Sequence, residues 1–293
     1  MRFHKRFFLR AVSISVAVAM ATLGAGAWRT GSGFVEPSPA EIGAAPVDLH
    51  AEEVVIPSGS GSTLHGWLVN QPGATAAVAL FHGIHGNRRV LINRARLLRD
   101  AGYSVLLIDF QAHGESSGTR ITFGYLEAKD TEAAIDYLHA RLPGARVGAI
   151  GISLGGAALA LAKHPLKLDA AVLESTFSTI DMAVENRMNF ALGKVGPFVT
   201  PLLTMQLWPR LGIRAQALRP VDHLADAGCP LLIAGGASDT DTLISETQAM
   251  FAAAHTPKEL WIVPAAGHVD LERNAPAEYR EHVLGFLARY LKR

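Results

Sequence analysis

The chain has a single cysteine, Cys229, which excludes an internal disulfide and any metal site built from several thiolates. Leading into an apolar segment at Pro230, that residue reads as a small buried side chain rather than a catalytic thiol. An excess of one charge is also missing. With 27 basic and 26 acidic residues the formal net charge is +1, and the basic residues form no stripe, so nothing here would hold a nucleic-acid backbone. No internal repeat and no low-complexity tract beyond one linker occur, which removes solenoids and propellers. An H-E-x-x-H helix is absent too.

What is present is a chain of 293 residues, 49% of them apolar, enough for one large core in a single α/β domain. The first ten residues carry Arg2, Lys5, Arg6 and Arg10 and precede an uncharged, Ala/Val-rich run from Ala11 to Trp28. This pattern of n-region and h-region reads as a membrane anchor or a signal peptide over residues 1–29. The run exceeds the roughly 7–15 residues of a signal-peptide core and reaches the lower end of the roughly 17–25 that span a bilayer, which favours an uncleaved anchor. Ala25-Gly26-Ala27 has the small-x-small form of a cleavage site, which leaves a cleaved signal open. In either case the positive flank stays inside. The expectation is a bacterial inner-membrane protein whose domain faces the periplasm, or a periplasmic or secreted one if the segment is removed. Residues 30–52, Gly/Ser/Pro-rich as far as Pro46, read as a linker, and residues 53–293 as the catalytic domain.

Extended segments at Glu53–Pro57 and Leu64–Asn70, with a Gly/Ser turn between them, predict an antiparallel opening. Ala76–Phe81, Tyr103–Asp109, Arg146–Gly151, Ala170–Glu174, Pro230–Ala234 and Glu259–Pro264 are short, nearly continuous apolar runs, as strands buried on both faces should be. Amphipathic stretches at Val90–Ala101, Tyr125–Arg141, Leu154–His164, Leu243–Ala254 and Ala277–Leu291 are long enough for crossover helices. The alternation predicts an α/β fold with a doubly wound, mostly parallel sheet and reactive groups at the carboxyl ends of its strands. Residues 176–220 break the alternation and predict a small helical cap.

Val147-Gly148-Ala149-Ile150-Gly151-Ile152-Ser153-Leu154-Gly155 runs from an apolar strand through G-x-S-x-G into an Ala-rich helix. That context marks a nucleophile elbow with Ser153 at its apex, where glycines let strand and helix approach closely. His268 lies on a loop just past the last strand and is the expected general base. Asp222-His223 is its rival, placed before the penultimate strand. A carboxylate should orient the imidazole. Asp239 is favoured over Asp241, which is well placed to cap a helix starting near Thr242, and Glu174 is a third choice. The amides of Ile84 and Leu154 are the expected oxyanion hole. His82, His85 and His113 could chelate a metal, but no carboxylate or cysteine cluster accompanies them, so neither metal nor other cofactor is expected.

His82-Gly83-Ile84-His85-Gly86-Asn87, Asp109-Phe110-Gln111-Ala112-His113-Gly114-Glu115-Ser116-Ser117-Gly118, the Gly151–Gly155 elbow and Gly267-His268 together resemble an α/β-hydrolase of the serine-aminopeptidase-like, Bem46-like group, over most of the chain from Glu53 onward. The resemblance implies an α/β-hydrolase fold, a Ser–Asp–His triad matching Ser153, Asp239 and His268, and a cap after the sixth strand. It departs at Gln111-Ala112, where relatives commonly carry Arg-Gly, in a loop expected to flank the pocket. The expected function is an acyl hydrolase acting on a small-molecule or lipid-like carboxylic ester through an acyl-enzyme. A peptidase or thioesterase of the same fold, or a non-catalytic binding protein on a hydrolase scaffold, are the alternatives. Phe190, Phe198, Leu202, Leu203, Met205, Leu207 and Trp208 of the cap could line an acyl pocket at the membrane surface or simply pack on the sheet.

Overall fold

The computed structural model describes residues 2–163, 165–268 and 271–292, and within the first helix the side chains of residues 14, 15, 18, 21, 22 and 24 onward. That helix, α1 (Arg2–Val35), is unbroken through the expected anchor and six residues into the expected linker. The anchor expected over Ala11–Trp28 falls partly outside the described side chains, and among the described residues no helix is long and apolar enough to cross a membrane. The remainder of the expected linker is not loose. β1 (Ser38–Pro39) is followed by buried Ile42 and Leu49, which pack into the main core.

β2 (Glu52–Pro57) and β3 (Thr63–Val69) form the antiparallel pair. Then come β4 (Ala76–Phe81), α2 (Ile92–Asp100), β5 (Ser104–Ile108), β6 (His113–Gly114), α3 (Glu127–Arg141), β7 (Arg146–Ile152), α4 (Leu154–Leu161) and β8 (Ala170–Glu174). The expected end of the elbow helix at His164 lies outside the described residues. The cap is α5 (Ile180–Leu192), α6 (Gly196–Thr204) and α7 (Leu207–Leu211). β9 (Leu231–Gly236), α8 (Ile244–Ala253), β10 (Lys258–Val263), α9 (Leu271–Asn274) and α10 (Pro276–Tyr279) follow, and a π turn over Arg280–Leu284 leads into α11 (Gly285–Leu291). The two-residue β1 pairs with β6 alone.

The other eight strands form one sheet in the order β10-β9-β8-β7-β4-β5-β3-β2. Every neighbouring pair from β10 across to β5 is parallel, and β3 alone runs against its neighbours. Successive residues of β4 divide between two cores: Ala77, Ala79 and Phe81 pack with α3, α4 and α8, whereas Ala76, Val78 and Leu80 pack with α2 and α11. A strand needed on both faces cannot alternate apolar with polar, which is why these strands read as continuous apolar runs. Full burial of a side chain such as Phe81 stabilises by about 1.5–3 kcal/mol. Chain direction across the sheet reverses at β4, between β5 and β7. The crevice above such a switch point is where open α/β sheets bind ligands.

Candidate active site

At the carboxyl end of β7 the chain turns into α4 through Ser153, whose φ of 51° and ψ of −106° are strained for a residue with a Cβ. The turn closes only because glycines flank it. A Cβ on Gly151 would lie 2.5 Å from the Gly155 carbonyl carbon, and one on Gly155 would meet the Phe81 carbonyl of β4. The Ser153 N–H donates to Glu174 O at 2.8 Å, which ties the elbow to β8. The side chain is thereby pushed above the sheet at the first turn of a helix, where unpaired amides favour negative charge.

His268 follows β10 on a loop, and its Nδ1 donates to Asp239 Oδ2 at 2.9 Å. Asp239 follows β9, and its side chain is fully buried. Its second oxygen accepts from the amides of Asp241 at 2.9 Å and Thr242 at 2.8 Å. Three donors thus fix the carboxylate, and the carboxylate fixes the ring with its Nε2 free of the proton that Nδ1 carries. Ser153 and His268 line one cavity of about 480 Å³. Among the described residues no hydrogen bond joins them; such contacts commonly tighten only when substrate arrives.

Of the three carboxylates considered from sequence, only Asp239 meets the histidine. Asp241 does not cap α8, which starts at Ile244. The amides at 241 and 242 are satisfied by Asp239 itself, and Asp241 instead pairs with Arg187 of α5 at 3.1 Å. Glu174 is buried between Arg94, at 2.7 Å, and the Tyr279 hydroxyl, which donates at 2.6 Å. Burial against that carboxylate holds the Tyr279 phenol well above its ordinary value. His223 does not line the cavity.

Ile84 and Leu154 both line the cavity beside Ser153. The Leu154 N–H, first in its helix, has no intrahelical acceptor. The Ile84 N–H has no backbone or side-chain acceptor among the described residues. Two amides are therefore available to an oxyanion.

The histidines of the early loop are structural. His82 Nδ1 donates to Gly83 O at 2.7 Å and its Nε2 accepts from Phe110 N at 3.0 Å. His113 donates to Gln111 O at 2.9 Å and accepts from His85 N at 3.2 Å. Both nitrogens of both rings are engaged by backbone, so neither can ligate a metal without losing a buried hydrogen bond. Burial, with His113 alongside, pushes His82 down to about 3. Among the described residues no group of three His, Cys, Asp or Glu could hold a metal ion.

Fewer of the residues singled out near the pocket line it than the sequence offered. Gln111 and Ala112 do not line it: the Gln111 amide turns inward to donate to Glu127 Oε1 at 2.7 Å and Arg120 O at 2.6 Å, supporting the loop from behind. Of the seven apolar cap residues only Leu203 and Leu207 face the cavity. Phe190, Phe198 and Met205 are 76%, 79% and 72% exposed, and Leu202 and Trp208 also point outward. The lining includes residues that no motif marks: Phe177 after β8, Arg187 and Met188 of α5, and Gly31, Phe34 and Val35 of α1. Arg187 could have been found only through its partner Asp241, and nothing in the sequence links α1 to the site.

With this geometry in place, the family profile described as serine aminopeptidase, S33 matches residues 72–218, half of the chain. The uncharacterized protein Rv2307c of Mycobacterium tuberculosis is 29% identical over 227 residues, covering 75% of this chain and 73% of its own. YfhR of Salmonella typhi is 27% identical over 262 residues, 83% of each chain. Among solved structures, the Pyrococcus furiosus esterase Pf2001 superposes with a TM-score of 0.72 at 25% identity, covering 88% of this chain and all of the esterase.

Proposed function

The chain belongs to the serine aminopeptidase, S33 family of α/β-hydrolases and is a hydrolase; we propose that it cleaves a carboxylic ester with an apolar acyl group, using Ser153 as nucleophile, His268 as general base and Asp239 as the group that orients it. The observation carrying this reading is the buried Asp239 carboxylate, fixed by two amides and bonded to His268 Nδ1 at 2.9 Å, in one cavity with a strained elbow serine. His268 Nε2 takes the Ser153 proton as Oγ attacks the carbonyl carbon, and the Ile84 and Leu154 amides hold the resulting oxyanion. The imidazolium returns its proton to the departing alkoxide. Water, deprotonated by the same ring, then releases the acyl group from Ser153.

An ester is favoured over a peptide with a free amino terminus by the charges around the cavity. Among the described residues the only carboxylate lining it is Asp241, already paired with Arg187, and Arg210 adds a cation, so none of the described residues is placed to receive a substrate ammonium. The mostly apolar lining, with Ile84, Phe177, Met188, Leu203 and Leu207, suits an acyl chain. The esterase activity in the name of Pf2001 agrees with this reading.

We further propose that the protein sits at a bacterial inner membrane with its domain toward the periplasm, Arg2, Lys5, Arg6 and Arg10 remaining on the inner side. The outward Phe198, Met205 and Trp208, on the part of the cap that grips α1, together with Phe190 of α5, support placement beside lipid. Carbonate extraction of isolated membranes tests it: release of the intact chain into the supernatant would reject the anchor. For the chemistry, the full chain and Ser153→Ala are compared on p-nitrophenyl esters from acetate to palmitate and with a fluorophosphonate probe. Labelling and turnover that disappear together in a folded Ser153→Ala support the reading. Labelling without ester turnover would redirect it to peptides or thioesters, and absence of both to a binding protein.

A further inference from the structure

We propose that the last two turns of α1 are part of the substrate site, Phe34 and Val35 forming a wall of the acyl cavity that Gln206 and Arg210 fasten to the cap. The proposal rests on the ester-hydrolase reading for its substrate class. Gly31, Phe34 and Val35 line the cavity that contains Ser153 and His268. Their spacing puts them on one face of the helix, so α1 meets the cavity as a surface and not at a single point.

That surface is held from both sides. From the cap, Gln206 Nε2 donates to Ala27 O at 3.1 Å, and Arg210 donates from Nη1 to Ser32 Oγ at 2.9 Å and from Nη2 to Trp28 O. The Arg210 guanidinium also lies over the Trp28 ring, 3.8 Å from its centroid. Gln206 Oε1 accepts from Arg210 Nε at 3.1 Å, joining the two clasps. A Cβ at position 31 would displace the Gln206 side-chain amide, whose Cδ would lie 3.2 Å away, and so disturb the clasp. From the core, Ile121 N donates to Val35 O at 2.9 Å, and the chain then enters β1, where Ser38 N donates to Ala112 O at 2.7 Å.

A helix carrying only an address would need none of these contacts, which begin at Ala27 and end at Val35. A cut after Ala25-Gly26-Ala27 would sever the helix at the carbonyl that Gln206 holds. The geometry therefore gives α1 a second role, in which Phe34 sets how long an acyl chain the cavity accepts and Arg210 positions that wall without touching the reacting atoms.

The test uses the full chain in detergent. Chain-length profiles on p-nitrophenyl acetate to palmitate are taken for wild type, Phe34→Ala, Phe34→Trp and Arg210→Ala. Binding of dansyl-labelled undecanoic acid is titrated by fluorescence in each variant carrying Ser153→Ala. Phe34→Ala is expected to shift the optimum to longer chains and Phe34→Trp to shorter ones, changing the long-to-short ratio of kcat/KM by about tenfold or more, as expected for methylenes gained or lost in an apolar pocket. Arg210→Ala should raise KM for long chains more than it lowers kcat. Profiles and probe affinities of both Phe34 variants that superimpose on wild type would overturn the proposal. If no ester is turned over, the functional reading has failed, and the probe decides the wall alone: weaker binding in Phe34→Trp upholds it and unchanged binding overturns it.

Discussion

Asp239→Asn is the most demanding test of the triad because the structure dictates which way the new amide must face. Asp239 Oδ1 accepts from two backbone N–H groups, those of Asp241 and Thr242, and Oδ2 accepts from His268 Nδ1. An asparagine cannot turn its NH2 toward the amide pair without setting donors against donors in a buried site, so its oxygen takes the amides and its NH2 faces His268. Nδ1 must then accept, the ring proton moves to Nε2, and the nitrogen facing Ser153 can no longer receive a proton. An imidazole held in the wrong tautomer lowers kcat by roughly 10⁴, about 5 kcal/mol of barrier. The fold should hold, since the amide contacts persist. The control is Asp241→Asn, which removes only a partly exposed ion pair to Arg187, worth about 0–1 kcal/mol, and should stay within about tenfold of wild type. Steady-state kinetics on p-nitrophenyl butyrate, with circular dichroism on each protein, decide the matter. A folded Asp239→Asn within tenfold of wild type, or a larger loss in Asp241→Asn, would refute the assignment.

Three further outcomes follow from the surrounding groups. Burial pushes the Asp130 carboxyl, which accepts from Ser58 and Ser60, up to about 7. From its ordinary 3.8 up to about 7 the folded state keeps a proton that the unfolded chain has lost, so this group lowers stability as pH rises. His82, at about 3 when folded and 6.5 otherwise, acts oppositely, because below 6.5 the unfolded chain binds a proton that the fold refuses. Asp130→Asn removes the first slope, so its Tm should climb more steeply than that of wild type between about pH 4 and 6.5, and above pH 7 it should be at least as stable; parallel Tm curves would contradict this. Glu174→Gln removes the carboxylate charge that faces Arg94 within a buried cluster and should destabilise by about 3–5 kcal/mol in denaturant titrations while kcat per folded molecule changes little; a large fall in kcat without loss of stability would instead make Glu174 catalytic. Gly155→Ala drives a Cβ into the Phe81 carbonyl, and the elbow cannot close. Fluorophosphonate labelling should vanish together with a fall in Tm.

The sheet was legible because burial on both faces leaves a one-sided signature: Ala76–Phe81 and Ala170–Glu174 have the same limits in sequence and structure. Ser153 was legible through its context, since strand, glycines and helix all have to be present for the turn to close. His268 and Asp239 were narrowed by strand ends, but the choice between Asp239 and Asp241 needed coordinates. A carboxylate that caps its own loop and one that pairs with a distant arginine look alike in one dimension. The cap was readable as helical and not in its facing, because α6 and α7 are apolar on most sides and periodicity could not separate inward Leu203 and Leu207 from outward Phe198 and Met205. The course of α1 beyond Arg29 was hidden for another reason. Thr30-Gly31-Ser32-Gly33 has the composition of a linker, and what keeps it helical is tertiary, namely the Gln206 and Arg210 contacts, which override weak local propensity.

The cap is fastened at its two ends by different chemistry. At the root, the buried Glu246 carboxylate accepts from Ser178 N at 2.9 Å, Ser178 Oγ at 2.7 Å and Asn186 Nδ2 at 2.5 Å. Asn186 donates in addition to Asp241 O at 3.1 Å. These bonds join α5 to the loop between β9 and α8 that carries Asp239, so the cap root and the carboxylate that orients His268 form one polar unit. A satisfied buried network of this kind is costly to break, and displacing α5 would disturb the ring geometry that proton transfer requires. The distal part, α6 and α7, lacks such stitching to the sheet among the described hydrogen bonds and is clasped by α1 instead. On the proposed ester-hydrolase reading, adjustment to an acyl chain is thereby directed to the side of the cavity lined by α1 and the cap tip. If the proposals for the triad and for α1 both hold, chain-length preference varies through α1 and the cap tip while the Asp239–His268 pair stays fixed.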